Sequence, residues 1–136
     1  MKKLKALAAP CKSCPYRTDV PSGIWDQSEY DKLPGYDGEM WQQAHGVFLC
    51  HQKNGSLCSG WLACHGPHNL LSLRMSAVIS GDIDPSVFDY VTHVPGFRSG
   101  AEARAHGIAA IEQPTISARE MATRLRKKQR RARKTG

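Results

Sequence analysis

Five cysteines are the residues of this chain best suited to chemistry. Cys11 and Cys14 stand three apart in Cys-Lys-Ser-Cys-Pro-Tyr-Arg, and Cys50, Cys58 and Cys64 follow singly. Cys50 and Cys64 are each followed directly by a histidine, His51 and His65. Thiolates in such arrangements hold a zinc ion or an iron–sulfur cluster. A Cys-x-x-Cys pair lets two sulfurs reach one ion from a tight turn, which Pro15 stiffens. Cys50 and Cys58 extend the pair to a four-thiolate set. The expected ligands are therefore Cys11, Cys14, Cys50 and Cys58. Cys64 is the spare thiol, and His51, His65 and His68 are alternative nitrogen ligands. Zinc, closed and redox-inert, is the preferred cofactor, with an iron–sulfur cluster as the alternative, because all-cysteine ligation suits both. The bland alternative, a cysteine that is only a small buried hydrophobe, weighs most for Cys64.

The second candidate site lies at the other end. The chain has 136 residues and a formal charge of +7. Residues 115–136 hold nine Lys/Arg against Glu120 alone, a balance of +8, which leaves the preceding body at −1. The expected nucleic-acid-binding residues are Arg124, Arg126, Lys127, Lys128, Arg130, Arg131, Arg133 and Lys134. Six such cations engaged on duplex DNA would make affinity fall with about the fifth power of salt concentration. They would position the protein on phosphate without reading sequence. DNA and RNA are equally suited partners. An acidic surface on a host protein is the other option, and a merely solubilising tail is the bland one.

Elements must place these groups. Hydrophobic residues make up 40% of the chain and aromatics 7%, a thin supply for a core, so a metal staple is expected to help hold the fold. Residues 1–9 read as a flexible basic lead-in. Asp26 predicts a helix at about 27–33, with Trp25 and Tyr30 as a hydrophobic staple and Pro34 as its stop. Val47 to His51 reads as a short buried strand. Asn54-Gly55 turns the chain back so that Cys50 and Cys58 face each other across a hairpin-like loop. Asn69 predicts a helix over 70–80, apolar on most sides and therefore central to the core, closed by Gly81. Asp84-Pro85 and the Ser99/Glu102 pair open two more helices, the second over about 100–111 and open to a break at Gly107. Ser117 and Glu120 predict the start of the last helix, with Ile116 stapled to Met121. Its apolar stripe is Ala118, Met121, Ala122 and Leu125. Trp25, Trp41 and Trp61 are expected as core and cover. The expected fold class is mainly α with a short β-hairpin. A metal-binding domain over residues 10–113 would carry a basic helical tail over 114–136.

Several segments carry a resemblance. Residues 11–25 (Cys-Lys-Ser-Cys-Pro-Tyr-Arg-Thr-Asp-Val-Pro-Ser-Gly-Ile-Trp), Tyr30 to Leu33, Val47 to His51, Leu57 to Trp61, Cys64-His65 and Ser99 to Gly107 resemble a family of small uncharacterised cysteine-rich proteins of actinobacteria and their phages. The resemblance implies a cysteine-rich, intracellular and phage-encoded setting, and it implies no activity. A looser likeness, physical only, is to the WhiB-like iron–sulfur regulators, in which a lone cysteine precedes the Cys-x-x-Cys. Here the pair comes first.

An odd number of cysteines without a convincing export signal points to a reducing, cytoplasmic setting, where clustered cysteines bind metal rather than pair as disulfides. No membrane span is expected. No nucleotide loop, paired-carboxylate motif or nucleophile elbow is present, so catalysis is not expected. The function expected is a small metal-binding protein associated with nucleic acid through its basic helix. The alternative is an interaction module docking on host machinery.

Overall fold

A computed structural model describes residues 3–50, 52–53 and 55–135, with side chains described to residue 131. It is mainly helical. Five α-helices, α1 (Gln27–Asp31), α2 (Ser59–His65), α3 (Leu71–Met75), α4 (Gly100–Ile108) and α5 (Ile116–Thr135), are linked by short 3-10 turns. Two short strands, β1 (Lys5–Ala6) and β2 (Ser56–Leu57), pair in parallel, with Lys5 opposite Ser56 and Ala6 opposite Leu57.

That sheet corrects two expectations. The named strands are not a hairpin, because β1 comes from the lead-in. The antiparallel return survives as one isolated bridge, Leu49 to Leu57. It is closed by Cys50 N–H donating to Ser56 O at 2.8 Å and Cys58 N–H donating to Phe48 O at 2.9 Å. The described part of the lead-in is not flexible either. Leu4 N–H donates to Asp82 O (2.6 Å), and Asp84 N–H donates back to Leu4 O (2.9 Å). Ser59 Oγ donates to Leu7 O at 2.6 Å. Leu4 and Ala6 pack on the core, so their apolar side chains give these bonds a reason to form.

The core centres on α2, which the sequence reading did not foresee. Trp61 and Leu62 are fully buried there, against Leu57, Leu70, Leu73 and Leu33. The expected long helix at 70–80 is instead α3 followed by a π-type turn, Ser76–Ser80, ended by Gly81 in the left-handed region (φ +66°). Its Leu70 and Leu73 are buried, but Met75, Val78 and Ile79 are exposed. One edge faces the core, and an all-round apolar pattern cannot say which. Asn69 does not cap α3. Its side-chain amide donates to His65 O, and the Gln43 side chain accepts the Leu71 N–H at 3.0 Å in its place.

Local signals fared better where the cap is a side chain. Asp26 accepts from Ser28 N–H ahead of α1, Asp84 from Ser86 N–H, and Ser99 from Glu102 N–H ahead of α4. Tyr30 does join Trp25, but through its hydroxyl, which accepts the Trp25 and Ile24 N–H groups. Pro34 does not stop the chain's coiling; it sits early in a 3-10 turn, Leu33–Tyr36, that continues from α1. Helix α4 ends at Ile108, one residue past Gly107 and short of the expected 111. A Cβ at Gly107 would run into the Tyr30 ring, and one at Gly100 would run into the Leu33 backbone. These glycines let α4 lie close on the first helical segment. For α5 the cap is Thr115, not Ser117: Thr115 Oγ1 accepts the Ala118 N–H at 3.1 Å. Ile116 is largely exposed (76%) and does not staple Met121. The stripe itself holds, with Ala118 and Leu125 buried and Met121 and Ala122 packed beside them. Trp41 is exposed, not cover; Trp25 and Trp61 are buried. No helix among the described residues is long and apolar enough to cross a membrane.

Candidate metal centre

Three stretches of chain bring the first four cysteines together. The Cys11-x-x-Cys14 segment is a tight turn, with Cys14 N–H donating to Cys11 O and Arg17 N–H donating to Cys14 O, both at 3.0 Å. Arg17 Nη1 holds the turn from outside through Pro10 O, and Trp25 Nε1 holds it from inside through Ser13 O at 2.8 Å. The Leu49–Leu57 bridge supplies Cys50 and Cys58 on its two arms. Gly60, at the start of α2, permits the final approach. A Cβ at this position would overlap Cys14 Sγ and crowd Tyr16.

Cys14 Sγ and Cys58 Sγ are 3.8 Å apart and buried. The Cys11 thiol contacts those of Cys14 and Cys50. The sulfurs therefore form a linked row, Cys50–Cys11–Cys14–Cys58. Two sulfurs each about 2.3 Å from zinc in a tetrahedral shell stand about 3.8 Å apart. The Cys14–Cys58 separation has that value. Among the described residues, however, no group of three or more His, Cys, Asp or Glu side chains is placed to hold a metal ion.

Electrostatics tests the fit of a cation. Cys11 is raised by its bond to Cys14, partly offset by Cys50, and by burial. Cys14 is lowered by Cys11 but raised more by Cys58 and by burial, and ends well above the ordinary thiol value. Cys50 is pushed up by Cys11 and then by burial. Sulfurs so close and so dry resist ionisation and stay as hydrogen-bonded thiols. Working against this, the backbone N–H groups of Gln52 and Lys53 bond Cys50, and that of Tyr16 bonds Cys14. Such N–H donors favour the ionised sulfur. A divalent cation would reverse the preference for the neutral form, since it deprotonates the thiols it binds. By donor type alone, four thiols are the chemistry a soft divalent cation takes.

The alternative ligands stand elsewhere. Cys64 joins no thiol contact in this row; burial first, and then Asp37, Glu102 and Cys14, push it up to about 12. His65 is hydrogen-bonded to Tyr16 Oη through Nε2 (3.3 Å), and its Nδ1 is 3.7 Å from Asp37 Oδ1. Asp37 also accepts the Gly100 and Ala101 N–H groups at 2.6 and 2.8 Å, so it caps α4 from a distant loop. Burial lowers the His65 pKa, and Asp37 opposes the shift. This Tyr16–His65–Asp37 array locks α2 to α4. His68 lies tilted against Phe88, with ring centroids 5.4 Å apart. His51 lies outside the described residues. Ser13, Gln52 and Gly60 were missed as parts of the site; a glycine two residues after Cys58 was the one hint.

On α5, Arg124, Arg126, Lys127, Lys128, Arg130 and Arg131 are all exposed. With Ala118, Ala122 and Leu125 toward the body, 3.6 residues per turn put Arg124, Lys127, Arg130 and Arg131 on the outer face. Lys128 lies at the edge, where Nζ donates to Gln52 Oε1 at 3.0 Å. The side chains of Arg133 and Lys134 lie outside the described residues.

Fold and site define a small, mainly helical protein whose cysteines converge from distant parts of the chain. Residues 6–121 match a family of unknown function, DUF6283, and the chain belongs to that family. All eight candidate nucleic-acid-binding cations lie beyond the matched segment. No curated protein and no solved structure matches the chain.

Proposed function

We propose that this chain is a small metal-binding protein, stapled by one zinc ion, that associates with nucleic acid through the outer face of α5. The observation that carries the metal reading is the Cys14–Cys58 separation of 3.8 Å, with Cys11 and Cys50 continuing the row. Cys11, Cys14, Cys50 and Cys58 would hold the ion, which would supply structural cross-linking of three chain segments. Two sulfurs this close suit one shared ion better than a four-iron cube, in which each cysteine takes its own iron. The polyanion reading rests on the +8 balance of residues 115–136 and on four cations sharing one face.

Elemental analysis of anaerobically purified protein tests the first half. One zinc per colourless chain is expected; iron with a brown chromophore replaces zinc by a cluster, and no metal defeats the reading. Replacing Arg124, Lys127 and Arg130 together by Gln tests the second half on a duplex DNA and on an RNA hairpin. The salt slope should fall by about three. Unchanged binding removes the nucleic-acid role. It would then favour docking on a protein, a reading supported by the exposed apolar side chains Met75, Val78 and Ile79.

A further inference from the structure

The cysteine row reaches the basic helix through polar contacts in series. Cys11 Sγ is 3.8 Å from Ser13 Oγ. Ser13 Oγ accepts from Gln52 Nε2. Gln52 Oε1 accepts from Lys128 Nζ at 3.0 Å. Gln52 is fixed at both ends: its side-chain amide spans Ser13 and Lys128, and its backbone N–H bonds the Cys50 sulfur. The residue that receives the helix is thus part of the loop that would wrap the ion.

The position of Lys128 makes this contact consequential. Leu125 is the last buried apolar residue of α5 among the described residues. Residues 126–131 are Arg-Lys-Lys-Gln-Arg-Arg and offer no apolar anchor. Like charges along this run repel and oppose helix formation. The Lys128–Gln52 bond therefore comes just where packing gives out.

We propose that occupancy of the metal centre sets how firmly α5 is held against the body, and so how tightly the chain grips a polyanion. The inference rests on the metal reading above. With the ion bound, the Cys11 turn and the Cys50 loop are pinned to each other, and Gln52 presents a fixed acceptor to Lys128. Without it, the Cys11 turn and the Cys50 loop are joined only by weak thiol contacts, Gln52 is held less firmly and the helix frays back toward Leu125. A frayed helix must be ordered again when it binds, and that entropy is subtracted from affinity.

The test uses the full chain, its zinc content, amide hydrogen exchange over residues 122–131 and titration with a mixed-sequence duplex DNA. Removal of zinc with a chelator should speed exchange in that segment, and Gln52→Ala should do so with zinc still bound. The same variant should bind the duplex about fivefold more weakly with an unchanged salt slope, since no cation is lost. Zinc and the docked helix would stabilise each other, so Lys128→Ala should also weaken zinc affinity several-fold, although Lys128 touches no cysteine. Lys128 is exposed, so this variant does not depend on how the core tolerates metal loss. Zinc present, with exchange unchanged in Gln52→Ala and zinc affinity unchanged in Lys128→Ala, overturns the coupling and leaves the metal reading standing. No zinc in the wild-type chain overturns both.

Discussion

The four cysteines come from three stretches of chain and lie mostly buried, whereas the candidate cations of α5 come from one stretch and those described, up to residue 131, are exposed. The first arrangement exists only when the whole fold is in place. The second needs only a helix. Long-range sites are cooperative: the loss of one member leaves the others in a worse position than before, as three thiols around a missing fourth would be. A charged helical face is close to additive, each phosphate contact contributing its own share. The two regions should therefore answer mutation in different ways.

The largest effect belongs to Cys58→Ser. Serine fills nearly the same space, so packing alone predicts a mild change. Loss of a ligand predicts much more, since zinc binding supplies about 10–16 kcal/mol in small zinc-folded peptides. The variant should lose its zinc and its cooperative thermal transition together. One zinc per chain with an unshifted transition would show that Cys58 is a packed thiol and nothing else.

Gly60→Ala comes next and sharpens the same point, because helix propensity and tertiary packing disagree in sign. In an open helix this change stabilises by up to about 1 kcal/mol. Here the new methyl group meets Cys14 Sγ and Tyr16. The expected result is a loss of about 1–3 kcal/mol in denaturant unfolding, with a weaker hold on zinc. A stabilised variant would mean that Cys14 can move away at no cost, and the close approach at Gly60 would have no part in placing it.

What the sequence disclosed follows the same division. The α5 stripe and the caps at Asp26, Asp84 and Ser99 could be read because each depends on residues within four positions of one another. The grouping of Cys11 and Cys14 was legible for the same reason. Their convergence with Cys50 and Cys58 could be expected from residue type, but not how it is achieved. The parallel pairing of Lys5–Ala6 with Ser56–Leu57 has no local signal, since its partners are some fifty residues apart. Helix α2 was missed because Ser-Gly-Trp-Leu-Ala-Cys-His is too short to show a period and carries glycine at its second position. The segment from Leu70 to Ile79 misled for the opposite reason. Apolar on all sides, it could not disclose that Val78 and Ile79 would face solvent. The Asp37 cap on α4 likewise joins residues far apart in sequence.

The side chain of His65 is buried but stands outside the cysteine row. Burial holds its pKa below the ordinary 6.5, and the nearby Asp37 reduces the shift without reversing it. The unfolded chain therefore takes up the proton first on acidification. Stability from this group is complete above pH 6.5 and is lost as pH falls from there toward the folded value. Thermal midpoints at pH 7.5 and 5.5, with zinc in excess, should drop for the wild type and drop less for His65→Gln. Protonation of the thiolates acts in both proteins, so the difference between them isolates His65. Equal drops would mean that His65 takes its proton equally well in the folded chain.

The smallest effect on the fold is expected from Lys127→Ala, and its value lies beside Lys128→Ala. The two lysines are neighbours in sequence, but one residue of α-helix turns about 100°, so they cannot serve the same face. Lys128 is committed to Gln52, while Lys127 lies opposite the Ala118–Leu125 stripe. Lys127→Ala should leave zinc affinity and the thermal transition unchanged and lower the salt slope for duplex DNA by about one. Lys128→Ala should change zinc affinity as well. If the adjacent substitutions behave alike, α5 is a cloud of charge around the protein, and the direction it faces has no part in binding. If they part as expected, the body chooses which cations the polyanion meets, and the additive region takes its orientation from the cooperative one.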